Sequence, residues 1–519
     1  MKKLLKGIVA LSMCLSLAAC SSNDEEETEE KEETVETVDF SLDPTAAIDV
    51  TGGQITGTYA NEDETVALYK GIPYAAAPVG DLRWKAPQDV EAWDGVKECD
   101  TWGASAIQTE QGPFMMWSEE FIIEDTGYSE DCLSLNVYAK TDGTADKPVI
   151  VYVHGGGFTS GGSSCDVYDG TYIAENDVVY VTINYRVGVM GFMATDELTE
   201  EGNGTSGNYG VLDVIKALQW VQDNIATFGG DASNVTLMGQ SAGSGMIQAV
   251  LASPQSEGLV SKALCESFQF YNYSLSDLET AEATWEEAAQ GKTLEELRAM
   301  TADEIFELFG ATGTPIVDGT VIPESFNEQI ADGSLTDVTL MTGWVEQDTL
   351  LFGVLSGADE DEVIANATAI VGEDNIEAFK EIYDLSDVSA ACQEFNVDYM
   401  LATLNAHASA RTENEPATYT YLFTHVMPGE MSEAYGAFHT ADVPYFLGHL
   451  SHARDEYWTE DDQTVADNMS AYLINFAKTG NPGDDWTTGE NGDYMILDVD
   501  CEMSSLSEAK TELFSKIIA

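Results

Sequence analysis

Basic residues are scarce in this chain: 21 lysines and arginines stand against 92 aspartates and glutamates in 519 residues, for a formal net charge of −71. So acidic a surface repels nucleic acid and other anionic polymers and favours solubility, so the sequence predicts no nucleic-acid partner. Histidine is scarce too, with six residues in all, and any imidazole chemistry must be found among them. No phosphate loop, dinucleotide fingerprint or metal-ligand set is present. His449-x-x-His452 is the nearest thing to a metal pair, and it lacks a third ligand. The expectation is therefore a protein without a cofactor. No internal repeat interrupts the chain, and no apolar run is long enough to span a membrane.

What is present begins with Gly239-Gln240-Ser241-Ala242-Gly243, directly after the apolar run Val235–Met238. This is a G-x-S-x-G pattern, in which small residues let a strand turn sharply into a helix and push the serine hydroxyl outward. A free serine is a poor nucleophile, so the pattern carries chemistry only with a base, an orienting acid and an oxyanion hole. In a chain with 45 glycines it also arises by chance.

A second pattern narrows the reading. Val149–Val153 is a buried-strand run that leads into His154-Gly155-Gly156-Gly157-Phe158. Glycines suit a loop whose amide hydrogens must converge on one oxygen, because side chains there would crowd the substrate. A glycine-rich turn without a ligand is the plainer alternative.

Of the six histidines, His154 belongs to this loop and His407 to an alanine-rich helical stretch, while His425, His449 and His452 have no matching context. His439, in Ala437-Phe438-His439-Thr440-Ala441-Asp442, follows the serine in the order Ser, acid, His found in hydrolases of this type. The acid is less clear. Val338–Gly343 reads as a strand, and Glu346 and Asp348 both lie just past it, where a carboxylate can hold an imidazole tautomer. Among 92 acidic residues a solvated loop carboxylate is the ordinary case, so both stay open on this ground.

Further segments carry a resemblance. Gly71-Ile72-Pro73-Tyr74-Ala75, Pro78 through Trp84, Ser129-Glu130-Asp131-Cys132-Leu133-Ser134-Leu135-Asn136-Val137, Asn184-Tyr185-Arg186-Val187-Gly188 and the block Gly207–Asp231 occur in the order seen in type-B carboxylesterases. The chain resembles that family, which includes the cholinesterases, from about Gly71 to Gly448. The resemblance implies an α/β-hydrolase fold, a large mostly parallel central sheet flanked by helices. It implies hydrolysis of a small-molecule carboxylic ester, with Ser241 as nucleophile, His439 as general base and the amides of Gly156, Gly157 and Ala242 as oxyanion donors. Laying Gly343 on the family's Gly-x-x-x-Asp-Glu-Gly pattern puts Asp348 at the acid position, in place of the usual glutamate, and Thr349 at the final glycine.

Gln240 stands where cholinesterases carry glutamate, which argues against a dedicated choline-ester enzyme. The resemblance also implies ion pairs Arg83–Glu130 and Arg186–Asp213. Cys132 matches a family half-cystine and Cys99 is a displaced candidate for its partner, with free thiols as the alternative. Relatives that lost catalysis serve as surface binding or adhesion proteins, and lipase or amidase activity on the same scaffold stays open.

The N-terminus bears on location. Lys2, Lys3 and Lys6 form a basic region, a short apolar stretch follows, and Leu17-Ala18-Ala19-Cys20 ends it. This resembles a bacterial lipoprotein signal over residues 1–19, with Cys20 lipidated at the start of the mature chain and anchoring it to the membrane; a plain secretory signal is the alternative. Residues 20–40 read as an acidic disordered tether, and 41–519 as one hydrolase domain. The N-x-S/T triplets at Asn203, Asn234, Asn272, Asn366 and Asn468 would stay bare in such a lipoprotein. Helical regions Asp277–Gly310 and Asp359–Ala410 read as insertions roofing the pocket. Oligomeric state is not written in the sequence.

Overall fold

Eleven strands hydrogen-bond into one sheet. In chain order they are β1 (Thr58–Tyr59), β2 (Val66–Pro73), β3 (Ser134–Lys140), β4 (Lys147–Val153), β5 (Val179–Ile183), β6 (Gly230–Gln240), β7 (Lys262–Glu266), β8 (Thr339–Val345), β9 (Thr418–Phe423), β10 (Asp493–Leu497) and β11 (Glu502–Ser505). Their spatial order is β11-β10-β9-β8-β7-β6-β4-β5-β3-β2-β1. Neighbours from β10 to β5 pair in parallel, while β11 and the β3, β2 and β1 edge pair antiparallel. The computed structural model describes residues 42–518 apart from 125, 269–273, 412–415, 452, 453, 455 and 456. The expected signal 1–19, Cys20 and the acidic segment 20–40 lie outside the described residues.

The middle strands read as unbroken apolar runs because both sheet faces are covered. On β4 the side chains alternate: Val149, Val151 and Val153 enter one core with Val211, Leu218 and Val221 of α1 (Tyr209–Asn224). Ile150 and Tyr152 enter the opposite core with Val465, Met469 and Leu473, all on the helix Glu460–Thr479. A single register slip of β4 would exchange the two faces, so the alternation fixes the strand against its neighbours. Burying each such aliphatic side chain contributes about 1.5–3 kcal/mol. The result is the α/β-hydrolase architecture that the resemblance implied.

Two further expectations meet the structure here. Arg83 grips Glu130 with Nε and Nη2 at 2.6 and 2.7 Å, and Arg186 grips Asp213 with Nε and Nη2 at 2.7 Å each, so both pairs form as bidentate forks. The Cys99–Cys132 bond does not form: both thiols are free and buried. Cys99 is held in a backbone ladder, its N–H donating to the Thr56 carbonyl and its carbonyl accepting from Lys70 N–H, each at 2.8 Å. Cys132 lies against the Arg186–Asp213 pair instead. Burial pushes the Cys99 thiol up to about 11, which leaves it unreactive at neutral pH.

Candidate active site

β6 ends at Gln240 and the helix α2 (Ala242–Leu251) begins two residues later, so Ser241 carries the whole turn, at φ 56° and ψ −127°. Two glycines allow it. A Cβ on Gly243 would lie 2.1 Å from the Val153 carbonyl oxygen, and one on Gly239 would lie 2.7 Å from the same atom. The strained backbone is tied down by Ser241 N–H donating to the Glu266 carbonyl at 2.8 Å and by Gly245 N–H donating to Ser241 at 3.1 Å.

The glycine loop after β4 packs directly on this turn, for a Cβ on Gly155 would meet Ser241 Cβ at 3.2 Å. Gly156 and Gly157 adopt φ 105° and 62°, conformations that disfavour other residues. The Gly156 carbonyl accepts from the N–H of Thr159 and of Ser160 at 3.1 and 3.0 Å, and Gly188 N–H closes the loop onto the Phe158 carbonyl at 2.7 Å. His154 is a pillar beneath it: its ring stacks on Tyr185 at 4.4 Å, and burial lowers its pKa to about 4, so it stays neutral.

His439 is buried, and its Nδ1 lies 2.5 Å from Asp348 Oδ1. Asp348 is fully buried, and its second oxygen accepts from Val345 N–H at 3.0 Å. With Nδ1–H directed at this carboxylate, the imidazole lone pair sits on Nε2. The Gln240 amide nitrogen lies 3.3 Å from Nε2. Glu346 is only half-buried; its side chain accepts from Gln347 and its carbonyl from Gln393. The structure thus brings Asp348, and not Glu346, to the histidine.

Ser241, Gly156, Gly157 and His439 face one cavity of about 560 Å³. Phe114, Phe121, Leu351 and Phe352 supply its apolar wall. The rings of Phe114 and Phe352 flank His439 edge-on at 6.4 and 5.5 Å. Neither of the two helical regions expected to roof the pocket contributes to the described lining. Helices Leu278–Ala288, Leu294–Ala299 and Ala302–Phe309 build a core of their own with Trp84 and Met193, and Val388–Ala410 packs elsewhere. The roof comes from the loop around Phe114 and the turn after Asp348.

Two acids at the site escaped the sequence reading. Asp442, three residues after His439, is fully buried and accepts from the Tyr421 hydroxyl at 3.0 Å. Burial, aided by the nearby charge of Asp348, pushes it up to about 7. Glu266, the last residue of β7, is fully buried with neither carboxyl oxygen hydrogen-bonded. Burial and then Asp442 push it well above the usual carboxylate range. A carboxylate closing the apolar run Ala263-Leu264-Cys265 is the signal that could have found it. Among the described residues no cluster of three His, Cys, Asp or Glu side chains can hold a metal ion. His449 approaches Asp166 at 3.8 Å, and His452 lies outside the described residues.

A half-buried serine at a strained strand–helix turn, sharing a cavity with a glycine loop and a buried imidazole at the C-terminal ends of parallel strands, is the working arrangement of a serine carboxylic-ester hydrolase. The chain belongs to the carboxylesterase family, whose model matches residues 44–514. It is 30% identical over 493 residues to the para-nitrobenzyl esterase of Bacillus subtilis (strain 168), covering 89% of this chain and 97% of that one. It is 32% identical over 461 residues to the fumonisin B1 esterase of Sphingopyxis macrogoltabida, covering 82% and 81%. A solved PNB esterase structure superimposes with a TM-score of 0.74 at 28% identity, over 91% of this chain and 100% of that chain.

Proposed function

We propose that the protein cleaves short-chain, uncharged carboxylic esters through an acyl-serine intermediate formed on Ser241. The observation that carries this reading is the 2.5 Å contact of buried Asp348 with His439, which lines the cavity that also holds Ser241. Ser241 Oγ attacks the ester carbonyl while its proton passes to His439 Nε2, and Asp348 stabilises the imidazolium that results. The developing oxyanion is taken by the amides of Gly156, Gly157 and Ala242, each donor of this kind being worth about 10²–10³ in rate. The tetrahedral intermediate expels the alcohol, which takes the proton from His439. A water then attacks the acyl-serine with His439 again as base, releasing the acid and restoring Ser241. Esters of aromatic alcohols are natural first substrates, since one relative is named for a para-nitrobenzyl ester.

The same proposal places the enzyme outside the cytoplasm, anchored to a bacterial membrane through a lipidated Cys20, with residues 1–19 as the removed signal, 20–40 as the spacer and 41–519 as the catalytic domain. The acidic run after Cys20 and the small residues before it support this. Stable anchoring needs more than one acyl chain, which such a cysteine carries.

Ser241→Ala should fold normally, lose hydrolysis of p-nitrophenyl acetate and fail to react with a fluorophosphonate probe. A wild type that neither reacts with the probe nor cleaves short esters overturns the enzymatic reading. Cys20→Ala should abolish membrane fractionation, and a wild type released without a lipidated N-terminus overturns the anchor alone.

A further inference from the structure

Residue 440, immediately after the catalytic histidine, is a threonine at φ 82°. A β-branched side chain in that region is a backbone outlier, and such a conformer persists only where its surroundings impose it. Ala441 N–H closes a turn onto the Phe438 carbonyl at 2.9 Å with Thr440 at its third position, where φ is positive, and the side chain in that turn is gripped by Trp117. Its indole N–H donates to Thr440 Oγ1 at 2.7 Å, and both residues are buried. The same indole packs edge-on against Phe438 at 5.7 Å, so one side chain grips the residues on both sides of His439.

Trp117 is itself fixed from the far side. A tight turn pairs its backbone with Phe114, at 2.8 and 3.1 Å. The guanidinium of Arg454 lies 5.6 Å over its ring and donates to the Met116 carbonyl at 2.7 Å. Buried Glu120 lies 4.0 Å from Arg454 and accepts the N–H of Ser118 and Glu119 at 2.8 and 3.0 Å, rigidifying the next turn. This segment carries Phe114 and Phe121 into the cavity wall. The wall segment and the residue after the base are therefore joined by one side-chain hydrogen bond, beside the ring contacts of Phe114 with His439 and of Trp117 with Phe438.

Resting on the reading of His439 as the general base, we infer that Trp117 is a positioning residue for the reaction. By holding Thr440 in its unfavourable conformer it sets the direction of the imidazole, and it couples seating of the Phe114–Phe121 wall to alignment of the base. Misplacing a catalytic group by about 1 Å costs up to roughly a hundredfold in rate, so removal of this one bond has a measurable kinetic consequence.

The test uses the full-length enzyme and four variants: Trp117→Phe, which keeps an aromatic ring without the donor; Thr440→Val, which keeps the shape without the acceptor; the double variant; and Thr440→Ser, which returns a hydroxyl. Steady-state kinetics on p-nitrophenyl acetate are read beside the second-order rate of fluorophosphonate labelling. Each single loss of the bond should lower kcat and the labelling rate about ten- to a hundredfold with KM changed less than about twofold. The double variant should be no slower than the worse single one, and Thr440→Ser should recover most of what Thr440→Val loses. If Trp117→Phe does not fold, the Thr440 pair carries the same comparison. Losses confined to KM or to the melting temperature, losses that multiply in the double variant, or no rescue by serine overturn the inference. Labelling of the wild type reports on the hydrolase reading itself, and the variant-to-wild-type ratio on the positioning role, so the two fail separately.

Discussion

Asp348 Oδ1 stands 2.5 Å from His439 Nδ1, whereas Glu346, two residues earlier on the same turn, is not brought to the imidazole. The residues from Glu346 to Asp348 form one 3₁₀ turn, in which side chains two positions apart point in different directions. Only the second is aimed inward, and Val345 N–H holds it there.

Asp348→Asn therefore loses the group that fixes the imidazole tautomer. Loss of this function in a triad costs about 10⁴ in kcat. Glu346→Gln should remain within a few-fold of wild type. Measuring kcat on p-nitrophenyl acetate for both variants checks the assignment, and the reverse ranking would move the acid to Glu346.

The Arg186–Asp213 pair supports the same site from below. Both side chains are buried, and Arg186 lies two residues before Gly188, whose N–H closes the glycine loop onto Phe158. Asp213→Asn leaves a guanidinium buried without its counter-charge, which costs about 3–5 kcal/mol. The prediction is a lowered urea midpoint for Asp213→Asn, with stability largely recovered when Arg186→Met and Asp213→Leu are combined. A single variant as stable as the wild type contradicts it.

How much of this was legible depended on whether the chemistry is local in the chain. The elbow at Ser241 and the loop at Gly155–Gly157 are contiguous strand-to-turn patterns, so residue types alone expose them. Order and scarcity made His439 a candidate, and only the resemblance gave it the role of base. Asp348 and Glu346 could not be separated from the residues themselves, because the phase of one short turn decides between them. Glu266 and Asp442 were hidden for a different reason: among 92 acidic residues nothing in composition marks these two as buried. The link from Trp117 to Thr440 joins distant segments and leaves no local pattern. The resemblance left Cys99–Cys132 pairing and free thiols both open, and the structure has the free thiols; the helical roof was expected from general loop behaviour, and separate packing overrode it.

His425 offers a pH-dependent test away from the catalytic atoms. Its two ring nitrogens lie 3.0 Å from Asp462 and 3.1 Å from Asp498, and the Tyr445 hydroxyl donates to the same Asp462 oxygen at 2.7 Å. Burial alone would lower the imidazole pKa, but hydrogen bonds to the two carboxylates override it and raise it. Both carboxylates are in turn lowered by this contact and by their threonine and backbone donors, against the opposing effect of burial. A raised histidine stabilises the fold fully below its unfolded value of about 6.5 and loses that contribution as pH rises through the folded value. The lowered carboxylates contribute above about pH 3.9 and lose it as pH falls through their folded values. The stability gap between wild type and His425→Gln should thus be widest between about pH 4 and 6.5, at roughly 1–2 kcal/mol, and narrow by pH 9. A gap that widens from pH 6 to 9 contradicts the sign.

Substrate charge is the last point the site decides. No aspartate, glutamate, lysine or arginine is among the described residues lining the cavity, and Gln240 beside the nucleophile is uncharged. At the rim a quaternary ammonium would meet the rings of Phe114 and Phe352, which are 39% and 37% exposed, with the more buried Phe121 and Tyr168 elsewhere in the lining. A cation–π contact at such wet positions is worth about 0.5–1 kcal/mol, a factor of five at most, and no carboxylate adds to it. Burial of a neutral aryl or short alkyl group against Phe121 and Leu351 gains about 25 cal/mol per Å² with no charge to desolvate. Neutral short-chain aryl and alkyl esters should therefore exceed a choline ester of the same acyl group in kcat/KM. Profiling one preparation against acyl chains of increasing length, a choline ester, a feruloyl ester and a triglyceride checks this. Marked selectivity for the choline ester, or activity that begins only above the micellar threshold of a long-chain lipid, would show that the cavity selects on something other than neutral apolar fit.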